Sequence, residues 1–273
     1  MQTSSNGASD IITFQKYVRP QSLEEAWELN QKKRNRVVGG MMWLKMGTHS
    51  FNTAIDLCDL GLDAIEETED EFRIGAMATL RQMEKHPGLD VYSCGAVKAA
   101  LCDIVGVQFR NGATLGGSLW RRMGFSDVVA LFLAMDSSVE LFKGGVVPLE
   151  EFVRMPYDND ILVRLIVKKR PGAFAYQAVR KQRTDLPTLN CAAAKVGEEY
   201  RVVVGSRPAR AMLLRDERGI LAGGITEESA AAFADYAAGA VPVSGNMWGS
   251  AEYRRALVPV LVRRTLLALG EVR

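Results

Sequence analysis

The sequence predicts an α+β protein with two N-terminal units of strands and helices and a C-terminal unit of three antiparallel strands with helices. Strand-like runs alternate with capped helical segments through the first part of the chain. The pair Pro171-Gly172 then interrupts the pattern, and three consecutive strand-like runs follow it. We therefore predict a first domain at 11–170, with subdomains of about 11–60 and 61–170, and a second domain at 171–273.

The first unit is predicted as a βαββ arrangement. Ser22 and Glu25 have the spacing of a capping box, which would open a helix that runs through Asn30. Its strands are predicted at 16–20, 36–38 and 53–57.

The second unit begins with a predicted hairpin from Asp63. Thr79 is expected to cap a helix that Pro87 stops, and Asp127 to cap another. The helices are predicted at 79–86, 92–104 and 128–135, and the strands at 71–75, 139–142 and 161–167. In the C-terminal domain the predicted strands are 174–179, 189–196 and 200–205, and the predicted helices are 227–238 and 250–269.

Composition excludes several classes of protein. Apolar residues make up 48% and charged residues 24%, as in ordinary globular proteins, and a net charge of +2 gives no basic footprint for nucleic acid. The cysteines, Cys58, Cys94, Cys102 and Cys191, form no CxxC pair, which argues against a metal or iron–sulfur site in this chain. No window approaches ~18 consecutive apolar residues, and the polar segment 1–10 lacks the core of a signal peptide. We therefore expect no membrane span and a cytoplasmic location.

Two glycine pairs carry the strongest functional signal. Gly39-Gly40 ends the apolar run 36–38, and Gly116-Gly117 follows Thr114. Because glycine has no side chain, the backbone can approach a bulky anionic ligand closely at such positions. Each pair alone could be a plain turn, but two turns that grip one ligand suit the pyrophosphate of a dinucleotide.

The segment Arg110-Asn111-x-x-Thr114-Leu115-Gly116-Gly117 resembles a motif of the FAD-binding subunits of the xanthine dehydrogenase and carbon monoxide dehydrogenase class of molybdenum hydroxylases. Asp127 stands at the family's interval after this motif. Further elements match in the family's order: the early turn 38–44, the middle element 74–79, Arg183-Thr184-Asp185 before an alanine-rich strand, and the segment 249–255 that opens the last helix. The resemblance covers about residues 12–268.

The resemblance implies an FAD-binding domain of the type shared with vanillyl-alcohol oxidase and the MurB reductase. The amides of 39–43 and of 116–118 would hold the FAD pyrophosphate. Thr114 would add a hydroxyl donor, and Asp127 would accept from a ribityl or ribose hydroxyl, serve as a helix N-cap, or do both. The implied cofactor-binding residues are Val38, Gly39, Gly40, Met41, Met42, Trp43, Thr79, Arg110, Thr114, Gly116, Gly117, Ser118 and Asp127, with no catalytic side chain and no metal ligand.

The chain departs from the family pattern near the expected phosphates. Met41 and Met42 stand where the family places threonine and a small polar residue, so side-chain donors are lost and only backbone donors remain. Ser118 replaces an asparagine, and Arg121 and Arg122 replace part of a small polar run. We hypothesise that Arg121 or Arg122 supplies charge to the phosphates. Alternatively, both arginines form a solvated rim or contact a partner subunit.

The resemblance also implies partners. In the family, a molybdenum cofactor subunit and a small [2Fe-2S] subunit deliver electrons to FAD, which passes them to NAD+ or another acceptor. This chain would then be an electron-transfer subunit that is inactive on the organic substrate alone. Trp43, Trp120 and Tyr176 would pack near the flavin, toward the cluster subunit, or simply in the core. Two alternatives stay open: a flavin-free structural or assembly subunit, suggested by Met41 and Met42, and a stand-alone flavin oxidase or reductase.

Overall fold

The computed structural model of the protein describes residues 11–272. The polar segment 1–10, for which we expect no signal peptide, lies outside the described residues, as does Arg273. The described chain forms three β-sheets, with helices packed between and around them. Among the described residues, no helix is both long and apolar enough to cross a membrane.

The first sheet is small and parallel. Its strands, in the order β1-β3-β2, are β1 (Thr13–Val18), β2 (Asn35–Val38) and β3 (Ser50–Asp56). Helix α1 (Leu23–Asn30) joins β1 to β2, so the predicted βαββ unit is confirmed. Ser22 caps α1 by accepting a hydrogen bond from the Glu25 amide. The Glu25 carboxylate accepts from the Gln21 amide, one residue before the position that a capping box requires.

The second unit combines a five-stranded antiparallel sheet with a group of short helices. The strands, in the order β4-β5-β8-β6-β7, are β4 (Ile65–Glu67), β5 (Glu71–Gly75), β6 (Ser138–Leu141), β7 (Gly145–Pro148) and β8 (Leu162–Lys168). The helices are α2 (Leu80–Lys85), α3 (Pro87–Tyr92), α4 (Ala96–Leu101), α5 (Val107–Gly112), α6 (Leu115–Trp120), α7 (Asp127–Ala134) and α8 (Leu149–Phe152). The predicted hairpin and the strands at 139–142 and 161–167 are confirmed.

The single helix predicted at 92–104 is wrong. Cys94 and Gly95 both have left-handed backbones, with φ of 54° and 81°, and this pair separates α3 from α4. Left-handed residues cannot continue a right-handed helix. Pro87 stops α2 as predicted, but it also opens α3 at the first helical position, where its missing N–H costs nothing.

The C-terminal unit contains one strand more than the three that we predicted. Its strands, in the order β12-β11-β10-β9, are β9 (Gly172–Arg180), β10 (Pro187–Val196), β11 (Glu199–Gly205) and β12 (Met212–Arg215). The additional strand, β12, is only four residues long and follows an irregular loop, so it carries too little alternation to be recognised. The strand is extended because it pairs antiparallel with β11, not because its own sequence favours a strand. The two predicted helices are confirmed as α9 (Glu227–Ala240) and α10 (Ala251–Glu271).

Both faces of this four-stranded sheet are buried. Alternate residues of a strand point to opposite faces, so each strand contributes to two cores. On β10, Ala192 and Ala194 join the main core, which also contains α4 and α7. Cys191 and Ala193 join a second core against α9 and α10. Helix α7 is buried along its whole length and packs on β10 and β11. The loop that precedes α7, at 121–126, is thereby held beside the C-terminal sheet.

Candidate functional site

A cleft with a volume of about 600 Å³ lies between the first glycine turn and the segments 113–118 and 158–162. Its size is within the range of small-molecule and cofactor sites, roughly 300–1,000 Å³. Most of the predicted cofactor-binding residues line it: Val38, Gly39, Gly40, Met41, Met42, Trp43, Thr114, Gly116, Gly117, Ser118 and Asp127. Thr79 and Arg110 are not among the lining residues.

The first glycine turn is pressed against the second glycine segment. A Cβ atom on Gly40 would lie 1.3 Å from the carbonyl oxygen of Gly112, and one on Gly39 would lie 2.7 Å from Oγ1 of Thr114. No side chain fits into such gaps. The pair Gly39-Gly40 is therefore required first of all for the close packing of two loops, which together form the floor of the cleft.

The amides of the first turn are available to a ligand. Within residues 11–272, the N–H groups of Gly39 to Trp43 donate no hydrogen bond to another part of the chain. Met41 has a left-handed backbone, with φ of 61°, and such a residue inside a turn creates the concave run of amides that binds anions. A non-glycine residue pays strain for this conformation, of order 1–2 kcal/mol. The first turn therefore has both the shape and the free donors of an anion site.

The amides of the second glycine segment, which we predicted to hold the FAD pyrophosphate, donate to other groups of the protein. The Gly116 amide donates to the Ala76 carbonyl at 2.7 Å, and the Gly117 amide to Thr114 Oγ1 at 3.2 Å. The Ser118 amide donates to the Thr114 carbonyl at 3.1 Å. The reason is that Thr114 caps α6, so the segment that we expected to be an open turn is the first turn of a helix.

Thr79 also has a structural role in place of the predicted cofactor contact. Its hydroxyl caps α2 in a capping box with Gln82. The backbone around Thr79 is joined to the second glycine segment, because Leu80 N–H donates to Ala113 O and Leu115 N–H donates to Ala78 O, both at 2.8 Å. Thr79 thus helps to hold the second glycine segment in place, while Ala76 and Met77 of the same middle element line the cleft.

Arg110 is turned away from the cleft, which corrects its predicted role. Its guanidinium is buried and binds the Glu84 carboxylate with an Nε–Oε2 distance of 2.7 Å. It also donates to the Ile104 carbonyl at 3.1 Å, which ties α5 to α2 and to the preceding loop. Burial would raise the pKa of Glu84, but the hydrogen bonds and charges of Arg110 and Arg81 outweigh burial and hold that pKa below its ordinary value.

We expect Glu84→Gln to destabilise the protein by about 1–3 kcal/mol at pH 7, because the buried Arg110 loses its counter-charge. A carboxyl with a lowered folded-state pKa contributes stability above its unfolded pKa, roughly 4.3, and loses it as the pH falls through the folded value. The wild-type free energy of unfolding should therefore decline more steeply than that of the variant below about pH 4.3. Urea unfolding across pH measures both. In the control Glu198→Gln the carboxylate is 98% exposed, and equal losses in the two variants would contradict the assignment.

Asp127 lines the cleft, and its carboxylate already has three partners within the protein. Tyr176 donates a short hydrogen bond to Oδ1, Asn190 donates to the same oxygen at 3.0 Å, and Arg180 pairs with Oδ2 at 3.0 Å. Burial raises the pKa of Tyr176 well above its usual range, so the phenol stays protonated as a donor. Ser126, not Asp127, caps α7. The predicted helix-cap role is therefore wrong, and the Asp127 carboxylate forms a buried link between α7 and the C-terminal sheet.

The methionines of the first turn do not fill the cleft. The Met42 side chain lies against Gly112, where its Cε would be 2.2 Å from an added Cβ, and it packs on the main core. Met42 thus lies over the glycines, and the cleft that it lines has a volume of about 600 Å³. The loss of side-chain donors at 41 and 42 therefore leaves the amide donors accessible.

The two arginines after α6 have different surroundings. Arg121 lines the cleft and forms no ion pair within residues 11–272, whereas Arg122 is 4% exposed and is not a lining residue.

Of the three aromatic candidates, Trp43 and Trp120 line the cleft. The ring centroids of Trp43 and Phe125 are 5.4 Å apart. Tyr176 lies on the far side of Asp127, in a second depression on the surface.

Several wall residues were missed by the sequence analysis. His49 and Phe51 reach the cleft from β3 and the segment before it, and the segment 158–161 forms the opposite rim. No local motif marks these positions, because the rim is held by distant contacts such as that of Asn30 Nδ2 with the Asn159 carbonyl at 2.8 Å. Within the described part of the chain, no three His, Cys, Asp or Glu side chains are grouped to hold a metal ion.

These residues fit a dinucleotide such as FAD. The free amides of the first turn and the unpaired cation of Arg121 suit a diphosphate. The rest of the wall is predominantly apolar, as for a planar aromatic ring system, with Phe51, Leu57, Met77 and Phe125 among its members.

Comparison with known proteins agrees with this geometry. Residues 12–169 match the family described as the FAD binding domain in molybdopterin dehydrogenase, and residues 174–269 match the CO dehydrogenase flavoprotein C-terminal domain. The nicotine 6-hydroxylase medium subunit of Paenarthrobacter nicotinovorans is 26% identical over 275 residues, which cover 93% of this chain and 97% of that protein. The Escherichia coli (strain K12) protein YgfM is 25% identical over 255 residues, covering 91% of this chain and 94% of that protein.

The fold is also similar to that of a solved enzyme. Carbon monoxide dehydrogenase from Hydrogenophaga pseudoflava superposes with a TM-score of 0.81 at 24% identity, over 93% of this chain and 96% of that chain. The first family match alone spans more than half of the sequence and includes both glycine pairs. The chain therefore belongs to the FAD-binding domain family of the molybdopterin dehydrogenases, and FAD is the cofactor of that family.

Proposed function

We propose that this chain is the FAD-carrying electron-transfer subunit of a molybdenum-containing hydroxylase complex. The observation that carries the proposal is the first glycine turn, whose free amides face a cleft of dinucleotide size. Family membership supports the cofactor, and the names of the similar proteins, a hydroxylase medium subunit and a carbon monoxide dehydrogenase, support the kind of complex.

In the proposed site, the chain's own residues bind and orient the cofactor. The amides of 39–43 donate to the diphosphate, and Arg121 supplies positive charge beside them. The amides of the second segment are used within the protein, so they are not donors to the diphosphate. The remaining contribution to the site is to the shape of its wall, which is formed in part by Val38, Gly116, Gly117 and Ser118. The FAD, when bound, supplies the redox chemistry, so the protein needs no acid, base or nucleophile of its own.

The proposed partners are a [2Fe-2S] small subunit that delivers electrons and a molybdenum cofactor large subunit that oxidises the organic substrate. Electrons would leave to NAD+ or to another acceptor. Trp43 is 40% exposed and Val105 is 44% exposed at the cleft, and exposed apolar side chains at a cofactor site suit contact with another protein surface.

We also propose the domain division of the sequence analysis, with an FAD-binding domain at 11–170 in two subdomains of the vanillyl-alcohol oxidase type and a second domain at 171–273. The two separate family matches, at residues 12–169 and 174–269, support it. Independent expression of the two parts, followed by circular dichroism, would test it.

The function is tested by purification with co-expressed partner chains. We expect flavin absorbance near one equivalent per chain, iron and molybdenum only in the complex, and flavin reduction by substrate only when all subunits are present. A colourless chain without affinity for FAD would favour the flavin-free assembly subunit. Substrate turnover by the isolated chain would favour a stand-alone oxidase or reductase. Either result would contradict the proposal.

A further inference from the structure

Arg122 occupies an unusual environment beside the cleft. Its side chain is buried, with 4% exposure, and none of its three guanidinium nitrogens has a hydrogen-bond partner in the described chain. Aromatic rings surround the guanidinium carbon instead, with centroids at 3.9 Å for Phe152, 4.7 Å for Tyr157 and 5.4 Å for Trp120. We call Trp120, Phe152 and Tyr157 the aromatic cage.

The cage explains how this cation can be buried. A charge removed from water without a partner is strongly unfavourable, and burial accordingly lowers the pKa of Arg122. The negative faces of aromatic rings attract a cation, most strongly where water is absent. Arg suits this site better than Lys, because its planar, weakly hydrated guanidinium stacks on ring faces. The three rings therefore replace the carboxylate that buried arginines such as Arg110 use.

The cage is attached to the cleft wall through the chain itself. Trp120, Arg121 and Met123, which lie within two residues of Arg122, all line the cleft. Arg122 has a left-handed backbone, with φ of 46°, directly after the C-cap of α6. The side chains of 121 and 122 have different surroundings, since Arg121 lines the cleft and Arg122 is buried. Tyr157 belongs both to the cage and to the backbone support, since its hydroxyl donates to the Arg121 carbonyl.

The far end of the wall is held by backbone contacts. A Cβ on Gly124 would lie 2.0 Å from the Ala209 carbonyl oxygen, and the Gly124 carbonyl accepts from the Ser206 amide at 2.6 Å. The segment 120–124 is thus fixed at Gly124 by the C-terminal unit and at Arg122 by the cage. Within this segment, Arg121 is the one cleft-lining residue with a charged side chain.

We propose that Arg122 is a positioning residue, whose caged guanidinium holds the wall so that Arg121 is directed at the diphosphate of the bound FAD. This inference rests on the proposed function, because it requires the diphosphate to lie beside Arg121. It assigns the two adjacent arginines different tasks: Arg121 contacts the cofactor, and Arg122 acts only through Arg121.

The test is a double-mutant cycle on FAD affinity in the full chain, read at several salt concentrations. We expect Arg121→Ala to weaken FAD binding about tenfold or more at low salt, as for loss of one charged hydrogen bond. It should also flatten the salt dependence, because screening acts only on a charge contact that is present. Arg122→Met keeps the volume of the side chain and leaves Arg121 intact, yet it should flatten the salt dependence in the same way. The double variant should bind no more weakly than Arg121→Ala.

A merely structural role for Arg122 would give a different pattern. Arg122→Met would then weaken binding equally at all salt concentrations, and its effect would add to that of Arg121→Ala; either result overturns the inference. If Arg122→Met does not fold, Tyr157→Ala removes one wall of the cage and should flatten the salt dependence more than Tyr157→Phe, which keeps the ring and loses only the hydroxyl that donates to the Arg121 carbonyl. Tyr157→Ala with the wild-type salt dependence overturns the inference. If Arg121→Ala itself binds FAD as the wild type does, the phosphate role of Arg121 fails as well, which distinguishes the two failures.

Discussion

Replacing Gly40 by alanine is expected to destabilise the protein by about 3 kcal/mol or more and to weaken FAD binding at least tenfold. The new Cβ would lie 1.3 Å from the Gly112 carbonyl oxygen, an overlap with main chain that no side-chain rotation can relieve. The first turn would have to move away from the second segment. Because the free amides belong to that turn, the proposed anion site should be lost together with the packing. Urea unfolding of the apoprotein and an FAD titration followed by flavin fluorescence measure the two effects.

The matched control is Gly223→Ala. A Cβ on Gly223 would have no atom within 4 Å, so the free energy of unfolding should change by less than about 0.5 kcal/mol and FAD affinity should be unchanged. Wild-type stability and FAD affinity in Gly40→Ala would show that the two loops do not pack in solution as they do in this structure.

Replacing Asp127 by alanine is expected to destabilise the apoprotein by about 3–5 kcal/mol, because it leaves the Arg180 guanidinium buried without its counter-charge. Tyr176 and Asn190 lose an acceptor in the same change. Asp127→Asn should lose less, since its carbonyl oxygen can still accept from Tyr176. Chemical denaturation without added FAD is the appropriate measurement, because it separates a structural role from a contact with the cofactor.

Asp103→Ala serves as the control. The Arg183 side chain that Asp103 pairs with is 82% exposed, so we expect a loss of less than about 1 kcal/mol. If Asp127 acted only as a ligand of FAD, Asp127→Ala would match this control in the apoprotein and would differ from it only in FAD affinity. That outcome would restore the interpretation drawn from the sequence and contradict the structural one.

The motif residues illustrate how far a sequence pattern reaches. Arg110, Thr79 and Asp127 stand at the family's positions, yet each binds another part of the protein: Glu84, the start of α2, and the C-terminal sheet respectively. A motif establishes that a residue type matters at a position, but it does not distinguish a residue that contacts the ligand from one that supports the site. The partners of Arg110 and Asp127 are distant in sequence, so the local pattern contains no information about them, whereas the cap formed by Thr79 is local and was predicted.

From the sequence alone we predicted most strands and the longer helices in their order, the glycine positions and the family resemblance, whereas the short elements α3, α5, α6, α8, β7 and β12 were not predicted. Period-2 and period-3.6 patterns, caps and breakers act over a few residues, and a short segment contains all of that information. Which amides are free depends on contacts that exist only in the folded chain. Those of 39–43 have no partner in the described chain, while those of 116–118 are used by Ala76 and Thr114. The physical reason is that an amide donates one proton, and whether the protein or the ligand receives it depends on what the fold brings within 3 Å.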